Sequence, residues 1–125
     1  MNMKTLAVHI VEIFAWPDFM MNTDYLDFAK TPYKQPEIKT KAELQKKLDE
    51  DYKKGAEALK KLTPEQLDGS WDIRQGEMVF QKWSKYGAIR HGFDQITHHR
   101  AQLGVYYRLN DILVPGSYGP SADEK

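Results

Sequence analysis

From Ser84 to Leu109 the chain places Ile89, Phe93, Ile96, His99, Leu103 and Tyr106 three or four residues apart. That period puts all six on one face of an α-helix. No proline falls between Pro64 and Pro115, so nothing breaks the helix before Asn110 and Pro115 mark its end. A helix this long must lay its apolar stripe against other elements. The rest of the sequence has to supply them.

Most of what it offers is also helical. Leu6, His9, Ile10, Ile13 and Phe14 recur at helical spacing between Lys4 and about Asn22, with Met20 beyond them. Pro17 kinks or restarts this helix, because proline lacks the N–H of an interior turn. "TDYLDFAKTPYKQPEIK" reads as loop, its prolines and scattered charges destroying any period. A further helix opens at Thr40, where "TKAE" is a capping box, and its stripe is Leu44, Leu48, Tyr52, Gly55, Leu59 and Leu62. Thr63–Pro64 ends it, with one more turn in "PEQL". "GSWDIRQGEMVF" alternates around a glycine and reads as a short hairpin or an extended connection. The tail "VPGSYGPSADEK" is loop. The pattern predicts one all-α domain over residues 1–125, a helical bundle.

Several function classes are disfavoured at once. Lys plus Arg equals Asp plus Glu at 18 each, which leaves no electrostatic case for nucleic acid or an anionic membrane. No apolar run approaches the ~20 residues of a membrane-spanning helix, and "MNMKTLAVHI" lacks the apolar core of a secretory signal. Cysteine is absent, so disulfides, thiolate metal sites and cysteine nucleophiles are excluded. A soluble cytoplasmic protein is expected.

The residues able to carry chemistry are histidines on apolar stripes. His9 lies three residues after Leu6 and four before Ile13; His99 lies between Ile96 and Leu103. Each is expected to point inward, where the plain role is a hydrogen-bonded core histidine. Gln95 precedes His99 by four residues and projects to the same side. Two positions at i and i+4, with a histidine from a facing helix, form a geometry that can hold a metal. An amide oxygen is a weaker ligand than imidazole for such an ion. His91 is displaced from His99 by ~12 Å along the helix and cannot share the ion. His98 points ~100° away and belongs at the site's edge. Arg100 is expected in a salt bridge, with Asp94, Asp27 or Glu12 as partner. Trp16, Trp71 and Trp83 are expected in packing. No phosphate loop or nucleophile elbow is present.

"LAVHIVEIFAWPDFM", followed by "THHRAQLGVYYRLNDILVPGSYGPSADE", resembles the DinB-like (YfiT-type) superfamily from about Met3 to Glu124. The resemblance implies a four-helix bundle of up-down-down-up type with a three-histidine metal site. His9 matches the early ligand and His99 the last; the middle ligand falls on Gln95, a departure. The family's first helix has no counterpart before "MKTLAVHI", so three long helices are expected here. The implied function is a metal-dependent transferase or hydrolase acting on a small molecule. Zinc or nickel is the implied cofactor, and characterised relatives use low-molecular-weight thiols. Gln95 supports the other reading, a metal-free binding or stress-response bundle. The stripes left uncovered by the absent helix predict a homodimer. A monomer whose loop from Thr23 to Lys39 folds over the groove, through Tyr25, Leu26, Phe28 and Tyr33, is the alternative.

Overall fold

A computed structural model describes residues 1–124, so the last residue of the tail lies outside the described residues. Helix α1 (Met3–Ile13) starts at Asn2, whose side chain accepts from the Thr5 amide at 2.8 Å. It stops one turn before Pro17, whose ring would clash with the Ile13 carbonyl in a continuing helix. Phe14 and Ala15 close on the Val11 and Glu12 carbonyls, and α2 (Trp16–Asn22) begins with Pro17 in its first turn. The expected restart is what the structure shows.

Strand β1 (Tyr25–Asp27) follows, inside the segment expected to be loop. Helix α3 (Lys41–Lys61) carries both hydrogen bonds of the Thr40–Glu43 capping box. A single 3-10 turn over Pro64–Asp68 leads into β2 (Ser70–Gln75) and β3 (Met78–Ser84). Helix α4 (Lys85–Leu109) is capped by Ser84, whose hydroxyl accepts from the Gly87 amide at 3.0 Å.

The fold is therefore α+β and not the all-α bundle predicted from the helical stripes. The three strands form one mixed sheet in the order β1-β2-β3. The hairpin is antiparallel, with Gly76 at φ +61° in its turn, a conformation that favours glycine. Ile73 pairs with Gln81 and Arg74 with Val79, leaving Phe80 as the extra residue of a bulge. The strand with no sequence period is β1. It is three residues long and pairs parallel with β2, Tyr25 opposite Asp72 and Asp27 opposite Arg74. Helix α3 provides the long crossover that a parallel pair requires.

Side chains fasten β1 to the hairpin. Buried Asp27 accepts from the amides of Gly76 (3.0 Å) and Ala29 (2.9 Å). The Gly76 bond outweighs burial and holds this carboxyl below the usual range, with the Ala29 amide and the charges of Lys30 and Arg74 assisting. Arg74 binds Asp72 through two nitrogens and lies 4.3 Å from the centre of the Tyr25 ring.

The core joins sheet to helices. Met20, Trp71, Ala88 and Ile89 are buried together, with Trp16, Leu26, Leu59, Leu67, Ile73 and Trp83 packed around them. All three tryptophans belong to this packing, as expected. Leu6, Val8, Val11 and Ile13 bury most of α1, which packs against both α3 and α4. Two stripe assignments need correction. Tyr52 is 60 % exposed, and its neighbour Asp51 is buried on α3 beside the expected Gly55. Phe93 is 43 % exposed, because buried Gly92 faces Trp16.

The segment between β1 and α3 runs along α1, where Tyr33 donates to the Glu12 carboxylate and Gln35 to the Thr5 carbonyl. Leu26 packs at the core, while Tyr25, Phe28 and Tyr33 stay largely at the surface. The tail folds back on α4. Asp123 accepts from Arg108 and from the Val114 amide, both at 2.8 Å, and Glu124 accepts from the Gly116 and Ser121 amides.

Candidate functional site

The α1–α4 contact brings His9 and His99 together. Their ring centres are 4.7 Å apart with the planes at 73°, and both residues are half-buried. His9 is delivered by the Leu6–Ile13 face of α1, and His99 by the Gly92–Ile96–Leu103 face of α4. Burial holds the His9 imidazole below its ordinary value of 6.5, and repulsion from His99 acts in the same direction. Both effects favour the neutral ring, the form that ligates metal.

His99 is oriented by its own helix. Its Nδ1 lies 2.8 Å from the Gln102 amide oxygen. An amide oxygen only accepts, so the ring donates from Nδ1 and its orientation is fixed. Metal-ligating histidines are commonly fixed this way by a second partner. The sequence reading gave Gln102 no role. The signal for its role is its i+3 spacing from His99.

Gln95 sits half-buried one turn before His99. Two imidazole nitrogens and an amide oxygen are a donor set that suits a divalent ion held more weakly than by three histidines. Among the described residues no group of three His, Cys, Asp or Glu side chains stands close enough to hold a metal ion.

The other candidates fall outside the pair. His98 is exposed, its ring 5.1 Å from that of His99, at the site's edge. His91 lies against Trp83 at 4.8 Å between ring centres, away from the pair. The expected salt bridge of Arg100 is not formed: the residue is exposed and joins none of the ion pairs among the described residues. Two of its expected partners are engaged elsewhere, Glu12 by Tyr33 and Asp27 by backbone amides. Trp16 also borders the pair, its ring 5.9 Å from that of His9.

Beside His99 the α1–α4 surface opens into a groove of about 450 Å³. Leu6, Val105, Tyr106 and Leu109 form its walls, and His99 and Gln102 are its polar members. The Tyr106 hydroxyl donates to the Met1 carbonyl, tying the start of α1 to α4.

No model of a known protein family matches this chain, and neither does any curated protein.

Proposed function

We propose that the chain is a DinB-type protein in which His9, His99 and Gln95 hold a divalent ion, zinc or nickel, for transferase or hydrolase chemistry on a small molecule. The observation that carries this reading is the pairing of His9 with His99, whose Nδ1 is engaged by Gln102. Two side chains 90 residues apart in sequence would not meet on a half-buried surface without packing that brings them there. A divalent ion held by His9, His99 and Gln95 would supply Lewis acidity and would favour the thiolate form of a thiol co-substrate. The protein's own share is to keep His9 neutral, to fix the His99 ring, and to limit water on the Leu6 side.

A second reading, a metal-free binding or stress-response protein, draws on Gln95, since an amide in the third position weakens the site. We place either protein in the cytoplasm. Among the described residues no helix is long and apolar enough to cross a membrane.

Elemental analysis of untagged protein, followed by calorimetric titration with zinc and nickel, separates the two. The metal reading expects measurable affinity that rises at least ~10-fold in Gln95→His, as a third imidazole replaces the amide. No binding by either protein leaves the second reading standing.

A further inference from the structure

We infer that the cavity between the C-terminal third of α4 and the tail is an oxyanion site. It takes the carboxylate or phosphate of a small molecule on Arg100, with the molecule's apolar body along Leu103, Gly104 and Val114. This goes beyond the metal reading and needs no ion.

The first observation is the guanidinium. Arg100 is exposed and enters no ion pair among the described residues. It lines a cavity of about 430 Å³, with Leu103, Gly104, Tyr107, Arg108, Val114 and Ser117 among the other walls. No acid lines this cavity. The one between α2 and α3 sets Asp18, Glu50 and Glu57 against Lys53, Lys54 and Lys61, so its charges cancel. The groove beside His99 holds neither an arginine nor an acid. Of the three, only the cavity at Arg100 offers a guanidinium fork without a carboxylate, and such a fork grips a planar oxyanion through two parallel N–H bonds.

Arg108 does not compete for the ligand. It donates to Asp123 at 2.8 Å, and it lies eight residues after Arg100, or ~12 Å along the axis. The two guanidiniums therefore do not share one anion.

The second observation is that the apolar wall is built in advance. Asp123 also accepts from the Val114 amide, the Ser121 hydroxyl donates to the Val114 carbonyl, and Glu124 accepts from the Gly116 amide. These bonds hold Val114–Ser117 beside the helix and engage both carboxylates of the tail, leaving Arg100 open to a ligand. Gly104 lies one turn after Arg100 on the same helix face, and Val114 comes within 3.8 Å of where its Cβ would be. The absent side chain leaves room for the body of a ligand next to the guanidinium. A wall already fixed adds little ordering cost on binding.

The test titrates metal-free protein at about pH 8, where imidazoles are neutral, with hexanoate, hexyl phosphate, hexan-1-ol and hexylammonium. Two-dimensional NMR follows methyl and guanidinium resonances. The oxyanions are expected to shift Leu103, Val114 and Arg100 saturably. The alcohol and the ammonium should bind at least ~10-fold more weakly, the factor carried by a hydrogen bond to a charged group. Whichever oxyanion binds more tightly identifies the headgroup. Arg100→Gln should lose the same factor. Gly104→Leu, which fills the floor and keeps the charge, should reduce hexanoate to the affinity of acetate. Equal affinity for hexan-1-ol, or full hexanoate affinity in either variant, overturns the proposal. Shifts confined to Leu6 and Leu109 also overturn it, by moving the anion to the groove beside His99. So does the absence of saturable binding; if Arg100→Gln then dissociates a homodimer, the guanidinium belongs to the contact between copies.

Discussion

The Phe14 carbonyl occupies the space that a side chain at Gly55 would need: a Cβ there would lie 1.9 Å from the oxygen. The break between α1 and α2 thus abuts the middle of α3, and backbone meets backbone. Overpacking costs about 1–3 kcal/mol, against the ~0.5–1 kcal/mol that alanine gains over glycine inside a helix. Gly55→Ala should therefore lower stability in urea melts. An increase would show that α1 and α3 part without cost.

Tyr33 gives a prediction for alkaline solution. Although the residue is 61 % exposed, desolvation of its hydroxyl and its bond to Glu12 raise the phenol from 10 to about 12. The neutral form is the one favoured by folding. Its stabilising effect is complete below pH 10 and fades as pH rises toward 12. Spectrophotometric titration should find one of the seven tyrosines ionising late, and Tyr33→Phe should remove that phase. A titration unchanged by the substitution would place the late phenol elsewhere.

Gln102 should matter to metal without mattering to folding. It acts on the ion only by orienting His99, and losing such a partner typically costs ~10–100-fold in affinity. Gln102→Leu is expected to weaken zinc or nickel binding by that factor, while Gln102→Glu, which restores an acceptor, should recover most of it. Thermal melts of all three proteins should coincide within a few degrees. Unchanged metal affinity in Gln102→Leu would remove Gln102 from the site.

Assembly is predicted from α4. Tyr86, Ile89, Phe93, Ile96, Arg100, Leu103 and Tyr107 follow one another at alternating spacings of three and four, the repeat of a helix seam. Ile89 is buried, whereas Tyr86 and Phe93 are 54 % and 43 % exposed. With zero net charge there is no general repulsion between copies. Light scattering at low micromolar concentration should report a homodimer, and Phe93→Lys should weaken it roughly tenfold or more. A wild-type monomer would assign the cover to the segment along α1 that Tyr33 and Gln35 anchor.

How far the sequence led depended on the range of each signal. The helices were legible because capping at Thr40 and the break at Pro17 act through neighbouring residues. Alternation around Gly76 pointed to a hairpin or an extended connection, and the hairpin is what forms. Strand β1 gave no such sign, because three residues carry no period and its partner Asp72 lies beyond a whole helix. The all-α expectation failed because the hairpin and β1 join in one three-stranded sheet. His9 and His99 could be paired from their stripes alone. Gln102 and the groove could not, since which side of α4 faces α1 is decided by where Gly92 lets Trp16 in. Arg100 went astray for a related reason: backbone amides and a tyrosine claimed two of the three acids expected to meet it, Asp27 and Glu12.

Trp16 stands 5.9 Å from His9, whereas Trp71 lies in the core and Trp83 against His91. Of the three fluorophores, Trp16 is thus the one beside the pair, while Trp71 and Trp83 stack on each other at 6.2 Å between ring centres. Emission from Trp16 should respond to whatever occupies the histidine pair, and emission from buried Trp71 to unfolding. Single-tryptophan variants turn this into an optical gauge without any attached dye, one channel reading occupancy and another reading integrity.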